Sequence, residues 1–241
     1  MNFELEVIGF TIEGCKVAAD AGATRLELCD NPADGGTTPS YGFISAARKL
    51  CDIDLFAMIR PRGGDFVYSD DEIEIMKLDI EMCKRLGCDG VVLGILDAYG
   101  NVNVSQTAAL VSVAYPMSVT FHRAFDRALD PMKALKDIIE CGCDRLLTSG
   151  QQKTAHEGIE MIQMLINNCG DLVIMPGSGI RSDNILSTAS KLTTNEYHTS
   201  ARKLRPSNQM MHPHFNEVMD PITVDGEEVR KIAKVLTNIE K

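Results

Sequence analysis

The chain has 241 residues, 44% of them hydrophobic, which is enough for one large domain or two small ones. Its 24 basic and 34 acidic residues leave a net charge of -10, which argues against a general binder of nucleic acid or of membrane surfaces, since both want a basic face. No apolar run approaches the roughly 20 residues that span a bilayer. The N-terminus, Met1-Asn2-Phe3-Glu4-Leu5-Glu6, has no basic region followed by an apolar core, so a cytoplasmic chain is expected.

In chain order, the first strand is expected at about 3–8 and a helix at 12–21. A second strand, 25–29, carries Arg25, Glu27 and Cys29 between Leu26 and Leu28, and a helix follows at 41–51. The third strand, 54–60, runs from Phe56 to Ile59 into Arg60-Pro61-Arg62-Gly63-Gly64-Asp65. The next helix, 70–86, opens with a serine cap and an acidic first turn, Ser69-Asp70-Asp71-Glu72. Strands at 90–95 and 117–122 bracket a helix at 105–114, and the second of them ends in Phe121-His122-Arg123. Asp130-Pro131 places an N-cap before a proline at the first position of a helix over 131–141. A strand at 144–148 leads to a helix over 154–168, for which Thr154 and Glu157 make a capping box. Strands at 172–176 and 195–199, a helix at 182–191 and a last helix at 225–239, capped by Asp225 with Glu228, complete the pattern.

A phrase recurs through this alternation. A helix ends, glycine and a small residue follow, and a strand begins, at Gly22-Ala23, Gly87-Cys88 and Gly142-Cys143. The glycine stands where helices end in a left-handed residue. Cys88 and Cys143 occupy the place of Ala23 and read as small buried plugs. The eight cysteines contain no Cys-x-x-Cys, so neither a zinc ribbon nor a thioredoxin-type motif is present, and reduced thiols are expected. Eight βα units without a linker predict one (β/α)8 TIM barrel over residues 1–241, with a long loop at 203–224 before the final helix.

In this fold the site lies at the C-terminal strand ends. Strand side chains alternate, and helices cover the outside, so the aliphatic set faces outward and the charged set inward. The rim then carries Glu6, Glu27, Cys29, Arg60, Arg62, His122, Arg123, Ser149, His198 and Arg202. Some of these could be internal ion pairs instead, for example Glu27 with Arg60, because a buried charge needs a partner. Two glutamates, two histidines and several arginines exceed what one internal pair requires. After the seventh strand, Gly177-Ser178-Gly179 lets backbone N–H groups approach an anion, with Arg202 next door. Gly35-Gly36 and Gly63-Gly64 are rim loops that fold over a ligand or merely connect. Met210, Met211, His212 and His214 form a second cluster of possible metal donors on the long loop, where a loop or subunit contact is the plainer reading.

Several phrases together resemble one family. They are Glu27-Leu28-Cys29 running into Gly35 to Gly42, Met58 to Phe66 with Tyr68-Ser69, Thr120 to Asp126, Leu147 to Gln151, and His198 to Arg202. This is similar to the CutC proteins, named for copper homeostasis. The resemblance runs from about residue 3 to 202 and implies a cytosolic (β/α)8 barrel, commonly a homo-oligomer, associated with copper. It departs at Ser178, where a third glycine is expected.

Three functions are left open. By resemblance, a copper ion binds at the barrel mouth, with Cys29 as the metal ligand and Met58, Met175, His122 or His198 able to join it; copper(I) prefers such soft donors. By residue chemistry, the chain is a lyase or isomerase-like enzyme acting on a small phosphorylated or carboxylated molecule. Arg60, Arg62, Arg123, Ser149, Gly177, Gly179, His198 and Arg202 would then bind the anion, Glu27 or Glu6 would be the base, and His122 the acid or electrophile. A hard divalent metal on Glu and His is compatible with that chemistry. The third reading is a scaffold with a vestigial site. No nucleotide fingerprint is present, because Gly-x-Gly alone is not one. A homodimer or higher homo-oligomer is expected, with the apolar helix around 159–166 as its interface.

Overall fold

Strand and helix alternate eight times along the chain, in a computed structural model that describes residues 3–210, 214 and 219–239. The units are β1 (Glu4–Gly9) with α1 (Ile12–Asp20), β2 (Arg25–Leu28) with α2 (Tyr41–Leu50), β3 (Asp54–Met58) with α3 (Asp70–Leu86), and β4 (Gly90–Leu93) with α4 (Val104–Ala114). They continue with β5 (Ser118–Phe121) and α5 (Pro131–Glu140), β6 (Arg145–Thr148) and α6 (Ile159–Ile166), β7 (Val173–Pro176) and α7 (Ile185–Ala189), and β8 (Glu196–Thr199). A short antiparallel ribbon, β9 (Arg202–Leu204) with β10 (Ile222–Val224), precedes α8 (Gly226–Thr237).

The eight main strands form one parallel sheet in sequence order from β1 to β7, and β8 pairs with β1, giving a nearly closed (β/α)8 barrel. At the β7–β8 seam, threonine hydroxyls bridge the gap: Thr194 Oγ1 donates to Ile174 O at 2.7 Å and Thr199 Oγ1 to Ile180 O at 2.8 Å. The alternation holds as expected. Leu26 and Leu28 pack outward into the large core between strands and helices, while Glu6, Arg25 and Glu27 are buried inside the barrel. Register brings the inner charges together, because Glu6 is the neighbour of Arg25 on β2 and of His198 on β8.

The lower barrel is filled by an ion-pair stack. Arg25 Nε lies 2.7 Å from Glu6 Oε2, and its Nη2 lies 2.6 Å from Glu196 Oε2. Arg145 also pairs with Glu196. The Phe56 ring packs against both guanidinium groups, its centroid 4.9 Å from Arg25 Cζ and 5.3 Å from that of Arg145. Gly90 is required beside it, since a Cβ there would come within 2.4 Å of the ring. The internal ion pair is therefore made by Arg25, not by Arg60 with Glu27.

Local signals held with some differences. Ser69 and Glu72 form the reciprocal capping box, and Asp130 accepts from Met132 N and Lys133 N. Thr154 and Glu157 exchange both capping bonds, yet they close a turn and α6 begins only at Ile159. Glu228 does not cap α8; its carboxylate accepts from Ser182 N and Oγ, each at 2.8 Å. The segment expected as loop over 203–224 has paired ends, the β9–β10 ribbon. Cys88 and Cys143 are buried, and all eight cysteines are free thiols.

Candidate active site

The C-terminal strand ends surround a cavity of about 410 Å³. Its walls are lined by Ile8 and Phe10 after β1, Glu27 on β2, Met58 and Arg60 after β3, and Phe66 on the following loop. His122, Arg123 and Arg127 come from the end of β5, Leu147 from β6, Ser178 and Gly179 from the β7 turn, and His198, Ser200 and Arg202 from β8 and beyond.

At the floor, three titratable groups are linked. His198 Nδ1 lies 2.8 Å from Glu6 Oε1, and its Nε2 lies 4.0 Å from Glu27 Oε2. Burial would raise the Glu6 carboxyl, but the His198 hydrogen bond and the Arg25 charge outweigh it and hold that group at about 2. Glu27 goes the other way. Burial dominates there, against the opposing charge of His198, and places it at about 7. His198 is raised, because its bond to Glu6 and the charges of Glu27 and Glu6 outweigh its burial. One carboxylate is thus locked ionised and the other is poised near neutrality.

On the facing wall, His122 is buried and neutral. Burial and the charge of Arg60 lower it to about 3. Its Nδ1 accepts from Ala124 N at 3.2 Å, which leaves the ring proton on Nε2. The ring fits because Gly94 has no side chain; a Cβ there would lie 2.4 Å from Nδ1. Phe66 meets the ring edge-on at 5.0 Å, and its own ring centroid lies 4.9 Å from Arg60 Cζ.

The mouth is cationic on an acidic chain. Arg123 is aimed by a buried carboxylate: Asp126 Oδ2 accepts from its Nε at 2.8 Å, and Ser149 Oγ accepts from its Nη2 at 3.0 Å. Asp126 Oδ1 also accepts from Thr148 Oγ1 at 2.6 Å and from Gln151 N at 3.1 Å, so β6 and the β5 turn are tied together at this point. Arg127 and Arg202 have no ion-pair partner among the described residues. Ser178 and Gly179 both have positive φ, 80° and 71°. Their backbone N–H groups have no acceptor among the described residues. Successive free N–H groups beside an arginine make a cradle for an anion.

The expected residues divide into three groups. Glu27, Arg60, His122, Arg123, Gly179, His198 and Arg202 line the cavity. Glu6, Ser149 and Gly177 support it from behind. Ser149 is buried against Asp126, and a Cβ on Gly177 would stand 2.4 Å from Leu147 and 3.2 Å from the His198 Cβ. Arg62 lies away from the cavity: it pairs with Asp65 and Glu72 and packs 5.2 Å from the Tyr68 ring. Arg60 holds loops together, its Nη1 donating to Asp34 O at 2.6 Å and Gly36 O at 2.9 Å, and its Nη2 to Gly64 O at 2.7 Å. Arg127 was not anticipated; it stands four residues after Arg123, one turn on, in the 3₁₀ turn Phe125–Arg127. Of the loop cluster, Met211 and His212 lie outside the described residues, and Met210 and His214 are exposed.

Metal ligands are a poorer fit than acid/base groups. Glu6, Glu27 and His198 bring one donor atom each within 4.8 Å of one another. Both Glu6 oxygens already accept from Arg25 and His198, so a hard cation would compete with those bonds and would find at most three protein donors where it wants six oxygens. Cys29 is buried in an inner cluster with Ile8, Phe56, Met58 and Val92. Burial and the charge of Glu27 raise its thiol well above the ordinary range, which opposes the thiolate that copper(I) needs. Met58 is the one thioether beside it, and Met175 Sδ accepts from Arg25 Nη2 at 3.3 Å.

Fold and site together define a (β/α)8 barrel with a polar cavity at its C-terminal face, and the comparisons agree on the fold. The CutC family model matches residues 3–203, and the chain belongs to the CutC family. A family protein CutC from Chromobacterium violaceum is 50% identical over 203 residues, 84% of this chain and 82% of that one. One from Xylella fastidiosa is 42% identical over 236 residues, covering 97% and 88%. A solved CutC from Streptococcus agalactiae, named for copper homeostasis, superposes with a TM-score of 0.78 at 32% identity, over 82% of this chain and 98% of that one. The N-(5'-phosphoribosyl)anthranilate isomerase of Pyrococcus furiosus shares the fold alone, with a TM-score of 0.63 at 10% identity over 99% and 100%. No helix among the described residues is long and apolar enough to cross a membrane.

Proposed function

We propose that this CutC family protein is an enzyme that binds a small phosphorylated or carboxylated molecule in the barrel mouth and performs acid/base chemistry on it. The observation that carries this is Glu27: a buried carboxyl on the cavity wall, near neutrality, whose Oε1 has no hydrogen-bond partner among the described residues. A base works best with its pKa near the working pH. Across the cavity, Arg123, Arg127 and Arg202 together with the Ser178 and Gly179 N–H groups supply the attraction for an anion. His198, held by Glu6, keeps Glu27 from rising further and so sets its strength as a base.

Calorimetric titration with 2-phosphoglycolate tests this reading. Binding is expected, with a loss of about tenfold or more in Arg123→Ala and Arg202→Ala. Equal affinity in both variants, or no binding to the unaltered protein, contradicts it.

A second reading, copper(I) held at Cys29, has one geometric point in its favour. Cys29 Sγ and Met58 Cε lie 3.1 and 3.6 Å from the place a Cβ of Gly36 would occupy, so thiol and thioether are close neighbours. A single protonated thiol with one thioether is a thin donor set, and we place this reading second.

A further inference from the structure

Three residues that line the cavity each carry a buried side-chain atom with no hydrogen-bond partner among the described residues: Glu27 Oε1, His122 Nε2 and Arg60 Nε. A buried polar group left unpaired has lost its water without gaining a partner, which destabilises the free protein. Three on one cavity therefore describe what a ligand there must offer. The chemistry of the set is specific. Glu27 Oε1 is an acceptor. Arg60 Nε carries a proton, and so does His122 Nε2, because Nδ1 accepts from Ala124 N. The set is one base and two donors, contributed by β2, β3 and β5 around one cavity.

An enediolate has two adjacent oxygens and forms by loss of one carbon-bound proton, which matches two donors and one base. We infer that the site takes a small phosphorylated α-hydroxy carbonyl compound and enolises it, with Glu27 as the base and His122 Nε2–H as the donor to the carbonyl oxygen. This rests on the acid/base reading above. Glu27 Oε1 takes the proton from the carbon next to the carbonyl. The C–H electron pair becomes the second bond between the two carbons, and the C=O pair moves onto oxygen, where His122 Nε2–H stabilises it. Arg60 Nε–H meets the neighbouring hydroxyl oxygen. Return of the proton from Glu27 restores the carbonyl compound, or gives its isomer when it returns to the other carbon and the hydroxyl proton passes between the oxygens. No oxidant or cofactor enters the balance. A neutral His122 is the suitable donor, since its proton is not lost to the enediolate as an imidazolium proton would be. The phosphate belongs at the Ser178–Gly179 turn, where two N–H groups face three acceptor oxygens.

The test is proton exchange in D2O with dihydroxyacetone phosphate and ribulose 5-phosphate, followed by proton NMR, beside calorimetry with 2-phosphoglycolate and phosphoglycolohydroxamate. The inference expects loss of the α-proton signal of at least one sugar phosphate, and hydroxamate binding on the order of 100-fold tighter than phosphoglycolate, as for a mimic of the reacting species. Exchange should vanish in Glu27→Gln and fall about 10²–10³-fold in His122→Ala, with phosphoglycolate affinity changed only a few-fold. If phosphoglycolate binds but neither sugar phosphate exchanges and the hydroxamate binds no tighter, enolisation is wrong while the anion site stands. If phosphoglycolate does not bind at all, the broader proposal falls and takes this one with it. The affinity ratio needs no variant, so it decides even where a substitution prevents folding.

Discussion

His198 Nδ1 and Glu6 Oε1 lie 2.8 Å apart although 192 positions separate them, because β8 closes the barrel against β1. That bond holds the imidazole with its other nitrogen toward Glu27, and the charge of His198 opposes the effect of burial on Glu27.

The pH profile follows from it. Catalysis by Glu27 requires its ionised form, so kcat/KM should rise with pH through about 7. The groups acting on Glu27 are His198, Glu6, Cys29 and Arg25. Of these, His198 is the largest favourable charge, so His198→Asn should move the acidic limb to higher pH. A limb that stays in place would show that His198 does not set the base.

Stability should carry the same signature with opposite benefit. The Glu27 carboxyl is raised from an ordinary 4.5 to about 7, so between these values the folded state holds more protons than the unfolded state. Stability contributed by this group is present below about 4.5 and is lost as pH rises through about 7. Glu27→Gln removes that loss and should be the more stable protein at pH 8, by on the order of 2 kcal/mol, and not at pH 4.5. Urea denaturation at the two pH values measures the difference.

Arg25 joins Glu6 and Glu196 inside the barrel, with 2% of its surface exposed. Arg25→Met leaves Glu6 without its guanidinium partner and should cost about 3–5 kcal/mol. Arg62→Met removes two ion pairs, to Asp65 and Glu72, in which the arginine is 40% exposed, and should cost under about 1 kcal/mol. Chemical denaturation of both variants checks the contrast.

Much of this arrangement was legible in the sequence. Arg25, Glu27 and Cys29 alternate with Leu26 and Leu28, and period two places them inside the barrel whatever the strand's exact ends. Pairing was harder to read. Arg60 stands at a strand end like a ligand-binding cation, but glycine-rich loops bring the carbonyls of Asp34, Gly36 and Gly64 onto its Nη groups. Backbone carbonyls leave no trace in composition. Arg62 is drawn away by Glu72, the acidic residue that also caps α3. Arg127 was hidden because it sits past the strand, in a turn whose shape depends on Asp126. Ser178 departs from the expected glycine and still adopts positive φ, held by its Oγ on Lys153 O at 2.9 Å.

Gly94 gives a probe of the His122 position. A Cβ at 2.4 Å from Nδ1 must displace the ring, since the ring is enclosed by Ala124 and Phe66. Gly94→Ala should cost about 1–3 kcal/mol and lower activity more than it lowers anion affinity. Steady-state kinetics beside phosphoglycolate titration separates the two effects.

Copper(I) should bind weakly. Titration against a competing chelator under reducing conditions is expected to show no tight equivalent, and Cys29→Ser should change little, because one buried thiol beside one thioether is a thin donor set. One tight equivalent lost in Cys29→Ser would instead place copper at Cys29, in the buried cluster with Met58.

The most direct measurement is a carbon-13 NMR titration of the glutamate carboxyls from pH 5 to 9, with and without 2-phosphoglycolate, in the unaltered protein and Glu27→Gln. One carboxyl is expected to titrate near 7, to be absent from the variant, and to shift its midpoint upward when the anion is bound. Glutamates that all titrate below about 5, or a Glu27 signal indifferent to the anion, would contradict an acid/base site in this cavity.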